Sequence, residues 1–527
     1  MSAAPVIVAG GSLVGLSAAL FLAWHKVPVI AIEKHPGSSL HPRAIGFTPR
    51  TLELFRAVGL GERIPQVRAD FQPIRARVES LAGEWFERST WTPAQANGTR
   101  PSYSPCSGAA IAQDRLEPIL YDRAIELGAD IRLETELVAF ATDAEGITAT
   151  LRPAAGPEYR VRGSYLVAAD GAASTIRETL GIRRSGNGHL RTLRSVLFAA
   201  PLQEYLDRGV TQFEIDQPDF KAFLTTYGDG RWVLMFPDDA ARDTQALRQA
   251  IGQAIGDAAC PIELLATGRW ELGAFIAERF VAGRVLIAGD AAHVLPPSRG
   301  GYGANTGIQD AHNLAWKLAS VTRGTSTAAL LDTYEAERQP IAWLRHQQIF
   351  ARPDYKAQRR ELAEEVAIIN DDAMEFGELY RSSAVIGADA DLAPALRPDE
   401  WAGQPGTRAP HLWVMRERER VSTLDLFRGE WVLLASDERW RSAAARAAAR
   451  LGISLRYLGI GSDLEASDLQ TLYAALGHDP RSASLIRPDG IIAWRVNDPE
   501  TDPSQLLPDV LAQLLSAPGI HGVGLDE

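Results

Sequence analysis

Four short stretches carry residues whose type and spacing could do chemistry. The first is Gly10-Gly11-Ser12-Leu13-Val14-Gly15, between an apolar run, Pro5 to Ala9, and an apolar helix pattern from Leu16 to Trp24. A glycine-rich turn between a buried strand and a helix lets backbone approach a pyrophosphate, which then rests on the free N–H groups of the helix start. A second strand, Val27 to Ile32, ends on Glu33-Lys34, where a carboxylate can accept hydrogen bonds from a ribose. Gly10, Ser12, Leu13, Val14, Gly15, Glu33 and Lys34 are therefore expected to hold an adenine dinucleotide. Serine replaces the usual middle glycine; it is small, and its hydroxyl could donate to a phosphate.

The second stretch is a strand, Tyr165 to Ala168, running into Asp170-Gly171, with Ser174 capping a helix that carries Arg177 in its first turn. Alone it reads equally well as a turn and an N-capped helix. The third is a strand, Arg284 to Ala288, ending in Gly289-Asp290-Ala291-Ala292-His293. Beyond it lie Pro296-Pro297, a loop with Gly300, Gly301 and Gly303, and Asn305, expected to open a helix toward Leu318. A carboxylate at a strand end, facing a helix N-terminus, suits a ligand with a polyol and an electron-rich ring. Asp290 would bind the hydroxyls, and the helix amides would stabilise negative charge. His293 reads as a structural hydrogen-bonding histidine, not a base. The fourth stretch is Tyr380-Arg381-Ser382-Ser383. A permanently charged guanidinium there could favour a phenolate over a phenol; the alternative is an ion pair with Glu375 or Glu378.

Together these segments resemble the group A flavoprotein monooxygenases, the class of para-hydroxybenzoate and phenol hydroxylases. Tyr380-Arg381-Ser382-Ser383-Ala384-Val385 and the run from Leu485 to Arg495 resemble the aromatic polyketide hydroxylases more closely. The resemblance implies FAD, with its ADP half on the glycine turn and Glu33. It assigns Asp170, Gly171 and Arg177 to FAD and the nicotinamide donor, and Gly289 and Asp290 to the ribityl chain. Arg43, in Pro42-Arg43-Ala44, and Gln113 become FAD contacts; Pro297, Gly303, Ala304 and Asn305 fall to the flavin ring. The implied reaction uses NADPH and O2 to insert one oxygen atom into a polycyclic aromatic polyketide through a flavin C4a-hydroperoxide, in antibiotic biosynthesis. Arg381 is then the expected catalytic or substrate-positioning residue. Baeyer–Villiger oxidation or oxidative rearrangement of a similar substrate needs the same reagent and stays open. So do a plain nicotinamide dehydrogenase and a non-enzymatic flavin-binding interaction protein.

The elements that must position these residues define an α/β protein. The expectation is a Rossmann-like FAD-binding domain (residues 1–184 and 281–350) with an inserted, mostly antiparallel β-sheet substrate domain (185–280). A helical connection (351–399) leads to a thioredoxin-like C-terminal domain (400–527) without a Cys-x-x-Cys pair, so without thiol redox chemistry. A length of 527 residues is in keeping with several domains. Phe220 to Thr226 and Arg231 to Phe236 flank Gly228-Asp229-Gly230 and predict a hairpin. Pro353 should interrupt the helix expected over 325–358. One complete dinucleotide fingerprint, not two, implies a donor that binds transiently; Gly459-Ile460-Gly461 lacks the third glycine and reads as a loop. A net charge of −12 excludes a nucleic-acid binder. Two distant cysteines and ten histidines without ligand spacing support no metal site. The uncharged first 24 residues lack the basic start of a signal peptide and are broken by glycines, so no membrane segment is expected and a cytoplasmic monomer or homodimer is.

Overall fold

The computed structural model describes residues 4–39, 41, 44–68, 74–90, 102–238, 241–297, 301–357, 366–465, 469–497 and 502–517. Short runs that are apolar on both faces build the first sheet, as strands covered by helices on either side require. Its order is Val281–Ala282, Val285–Ile287, Tyr165–Ala168, Val6–Ala9, Val29–Ile32 and Asp130–Arg132. All pairs are parallel except the first. Chain order departs in opposite directions on either side of Val6–Ala9, so a crevice opens at the strand C-termini there. Gly10, Glu33, Asp170 and Gly289 follow four neighbouring strands and converge on that crevice.

The second sheet has eight strands in the order His293–Val294, Glu263–Ala277, Arg184–Ala199, Arg231–Pro237, Phe220–Thr226, Gln212–Gln217, Ile74–Val78 and Trp85–Thr90. The predicted hairpin is present in it. Val196, Phe198, Phe213, Leu224, Trp232 and Leu234 form its core, together with Leu247, Ile251 and Ile255 of the Thr244–Ile255 helix. The domain boundaries read from sequence need correction here. Ile74–Val78 and Trp85–Thr90, placed in the FAD-binding domain, extend this sheet through a parallel pairing with Gln212–Gln217. A pairing across some 140 residues leaves no local trace in either strand.

Two long helices follow, Tyr302–Thr322 and Ala329–Ala351, and the chain breaks at Arg352 before Pro353–Lys356. The first starts three residues earlier than expected, so Asn305 lies inside its opening turn. The segment over 366–399 is a helical connection only in part, with Asp371–Phe376 and the start of Pro398–Trp401 set in irregular chain. The C-terminal sheet runs Leu455–Gly459, Trp431–Ala435, Ala483–Ile486, Ile492–Val496, with one parallel and two antiparallel pairings. With helices Arg439–Leu451, Leu469–Leu476 and Pro503–Leu514 this is the thioredoxin-like order. Its Arg487-Pro488-Asp489-Gly490 turn enters the rest of the protein. Arg487 reaches Glu337 at 2.6 Å, and Glu337 also takes Lys317 Nζ at 2.8 Å, all without exposed surface. Among the described residues no helix is long and apolar enough to cross a membrane, and no cluster could hold a metal ion.

Candidate cofactor and active site

The glycine turn is built by close approach. Gly10 has φ +106°, and a Cβ there would lie 2.2 Å from the Ala169 carbonyl oxygen; a Cβ on Gly15 would lie 1.8 Å from that of Gly10. Only glycine fits both positions. Glu33 is held at the strand end by the Gly11 N–H, which donates to Oε2 at 2.7 Å, and by His35 N–H, which donates to Oε1 at 2.9 Å. Lys34 beside it is exposed. The Ser12 hydroxyl is not free for a phosphate: it donates to the buried Glu117 at 2.6 Å and accepts from Gln113 Nε2 at 2.9 Å. As N-cap of Leu13–Trp24, Ser12 makes no side-chain cap bond. The amides of Leu13 and Val14 at the helix start are thus left to a ligand. Gln113 also pairs with the backbone of Ala44, beyond Arg43, which lies outside the described residues.

Gly289 brings the second helix start to the same crevice. It has φ +62°, and a Cβ there would meet Val14 Cγ2 at 2.8 Å; one on Gly307 would meet the same atom at 2.5 Å. Val14, Gly289 and Gly307 therefore pack the opening turns of Leu13–Trp24 and Tyr302–Thr322 against each other. Asp290 sits half-buried on the Gly289–Ala291 turn. Asp310 pins that turn from behind, accepting from Gly289 N at 3.2 Å, His293 Nε2 at 2.6 Å and Arg338 Nε at 2.8 Å. Burial alone would raise its carboxyl; His293 and Arg338 overcome this and hold it at about 2. Gly301, in the left-handed region, precedes Tyr302–Thr322, and Gly303 and Ala304 in its first turn are half-buried. Asn305 is buried and shapes the loop itself, donating to Gly301 O (2.9 Å) and Gly46 O (3.3 Å) and accepting from Thr51 Oγ1 (2.6 Å). Pro297 accepts from Tyr355 OH at 2.7 Å through its carbonyl. Asp170 Oδ2 accepts from Ile176 N at 3.3 Å, while its buried Oδ1 has no hydrogen-bond partner among the described residues.

This donor set fits FAD: two convergent helix starts for phosphate and ring oxygens, and carboxylates (Glu33, Asp290) for ribose and ribityl hydroxyls. The sequence matches the family model for the FAD binding domain over residues 3–348, and that for the aromatic-ring hydroxylase C-terminal domain over 402–518. The chain belongs to the FAD-dependent aromatic-ring hydroxylases. It is 40% identical to a 4-methyl-5-nitrocatechol 5-monooxygenase of Burkholderia sp, over 97% of either chain. It is 39% identical to a tetracenomycin A2 monooxygenase-dioxygenase of Streptomyces glaucescens, over 98% of each. The structure of aklavinone-11 hydroxylase with FAD and aklavinone superposes with a TM-score of 0.87 at 36% identity, covering 97% of this chain and 99% of that one. The protein is a FAD-dependent aromatic monooxygenase with the polyketide-hydroxylase architecture.

Two arginines singled out in the sequence of this hydroxylase make contacts to backbone carbonyls. Arg381 donates through Nε to Asp389 O at 3.0 Å and through Nη2 to Leu392 O, bonds that hold its own loop. Arg177 is buried, donating to Ala172 O (3.2 Å) and Ala291 O (3.1 Å); it joins the two strand-end turns and is not open to a nicotinamide donor. Asp310 escapes sequence reasoning altogether, lying mid-helix with no motif around it, and Glu375 enters it only as an ion-pair partner for Arg381. Glu375 instead accepts from Arg50 N at 2.9 Å, beside Thr48.

Proposed function

We propose that this hydroxylase uses NADPH and O2 to insert one oxygen atom into a phenolic polycyclic polyketide, as a cytoplasmic enzyme of antibiotic biosynthesis. The carrying observation is the crevice where Gly10–Gly15, Glu33, Asp290 and the Gly301–Ala304 turn meet, beside the eight-stranded sheet. Bound there, FAD supplies hydride acceptance and oxygen activation. The chain's own part is to bind and position. Leu13 and Val14 amides would carry the pyrophosphate, Glu33 the ribose and Asp290 the ribityl chain. The Gly303 and Ala304 amides would stabilise negative charge on the ring. The sheet over Arg184–Ala199 and Arg231–Pro237 would close over the substrate and exclude water. A single dinucleotide fingerprint supports an NADPH that visits the same crevice and leaves.

The likeness to a nitrocatechol monooxygenase supports a second substrate class, single-ring catechols. One experiment separates the two. Purified yellow enzyme is incubated with NADPH and, in parallel, aklavinone, tetracenomycin A2 or 4-methyl-5-nitrocatechol, and products are weighed by mass spectrometry. A gain of one oxygen on a polycyclic phenol supports the proposal; turnover confined to the nitrocatechol transfers it to the second class. NADPH oxidation that no phenol stimulates would sink both.

A further inference from the structure

Five ionisable side chains gather around the opening turn of Tyr302–Thr322. Four are matched in pairs: Arg345 Nε meets Glu378 at 2.6 Å, and Arg352 meets Asp371. Glu375 is the fifth. Among the described residues it has no ion-pair partner; it is held by the Arg50 backbone N–H at 2.9 Å and by the Thr48 hydroxyl. Thr48 in turn donates its N–H to Asn305 Oδ1 at 3.1 Å, in the turn that would carry the flavin ring. Glu375 is half-buried, while Ala373, Met374 and Phe376 around it are buried, so its helix opens at this carboxyl and at Asp371 one turn earlier. A carboxyl that is half-buried, hydrogen-bonded and without an ion-pair partner among the described residues is suited to exchanging a proton with a ligand.

We propose that Glu375 is the catalytic proton acceptor for the substrate's phenol, an assignment that rests on the hydroxylase reading above. The phenolic O–H bond breaks and the proton passes to a Glu375 carboxylate oxygen. The electron pair stays on the phenol oxygen, enriching the ring that is to be oxidised. The product phenol takes the proton back as it leaves, so no further reactant is consumed. The electrostatics support this role. Burial pushes the carboxyl up to about 7, against the Thr48 hydroxyl, Arg345 and the Arg50 amide, which pull it down; Glu53 adds to the rise. Thr48, Arg50 and Glu53 face it from the Pro49–Ala57 helix and its N-cap, and Arg345 from Ala329–Ala351; Tyr302 lies on a third side, and Arg352 at the end of Ala329–Ala351 pairs with Asp371 on Glu375's own helix. A carboxyl raised toward neutrality can both release and take up a proton there.

The test is binding without turnover. Holoenzyme, wild type and Glu375→Gln, is titrated with 2-naphthol from pH 6 to pH 8.5 without NADPH, using the flavin absorbance change. This probe stays neutral over that range. In wild type the Kd should tighten about tenfold as pH rises through the Glu375 transition, because a carboxylate accepts the phenol's hydrogen bond more strongly than a carboxyl. In Glu375→Gln it should stay flat, with flavin content unchanged, and the rising limb of the hydroxylation pH profile should vanish. Glu375→Asp should restore part of the pH dependence and serves in its place if the glutamine variant does not fold. A wild-type Kd that is flat with pH, or a glutamine variant that keeps the wild-type slope, overturns the proposal. If neither 2-naphthol nor 4-methylcatechol binds the yellow holoenzyme or stimulates NADPH oxidation, the hydroxylase reading falls instead.

Discussion

His293 Nε2 and Asp310 Oδ2 meet at 2.6 Å where neither side chain has exposed surface. Asp310 also holds Arg338 and the Gly289 amide, so one carboxylate ties two helices to the turn that carries Asp290. Asp310→Asn should cost about 3–5 kcal/mol, because Arg338 loses its buried counter-charge. Thermal unfolding reads this, and flavin retention should fall with it. The carboxyl is depressed in the folded state. Its contribution is therefore complete above the ordinary carboxylate range and is lost as pH falls from about 4 toward about 2.

Ser12→Gly would complete the glycine fingerprint, yet it should not tighten FAD. The hydroxyl it removes serves Glu117 and Gln113. The expected result is FAD affinity within a few-fold of wild type and a stability loss of about 1–3 kcal/mol from the weakened Glu117. Gly15→Ala is the contrasting variant: with 1.8 Å to the Gly10 carbonyl oxygen, it should yield colourless protein.

Asp290→Ala should release FAD. No other side chain on the Gly289–Ala291 turn offers a carboxylate. Losing charge-assisted bonds to hydroxyls costs about 1.5–3 kcal/mol, a tenfold or greater weakening. Flavin content after gel filtration decides it, and a fully yellow variant would remove Asp290 from the cofactor site.

Arg381→Met should leave product yield and pH profile as in wild type, at a stability cost of about 1 kcal/mol for the lost loop bonds. A variant that folds, stays yellow and fails to hydroxylate would return Arg381 to the active site.

A cavity of about 10 Å³ lies among Arg50, Gln309, His312, Asn313, Tyr380 and Asp489. Gln309 Nε2 and Asn313 Oδ1 are buried there without hydrogen-bond partners among the described residues. Arg345 fixes one amide's orientation and Glu337 the other's, so neither can flip to help. That space matches one water molecule, which would accept from Gln309 and donate to Asn313. A high-resolution crystal structure should show it; an empty cavity would contradict the expectation.

What the sequence made legible was local. The glycine turn, Glu33 and Gly289-Asp290 announce themselves because close backbone approach demands glycine and strand ends demand polar residues. Pro353 and Gly228-Asp229-Gly230 likewise act on their own neighbours. Ile74–Val78 could not be assigned, since its partner Gln212–Gln217 lies far along the chain and edge strands look alike. The loop bonds of Arg381 were hidden for a related reason: residue type gives a guanidinium its donors but not their targets, and here Nε and Nη2 go to two carbonyls eleven residues away or fewer. Glu375 owes its character to burial and to Thr48 and Arg50, none of which is written near it.

The Arg487–Glu337 contact bears on how such enzymes can be recombined. Glu337 and Lys317 belong to the two long helices, whereas Arg487 and Asp489 come from the C-terminal unit. A chimera joined near residue 400 inherits half of this charge set from each parent. If the incoming unit lacks the Arg-Pro-Asp-Gly turn, the interior carboxylate of Glu337 loses one of its two cations and keeps Lys317, Asn313 and Ser382, and Trp316 Nε1 loses its acceptor on Asp489. Compatible parents are therefore those that share both halves of the set, whatever substrates they act on, and the C-terminal unit works as a password that the catalytic body checks at assembly.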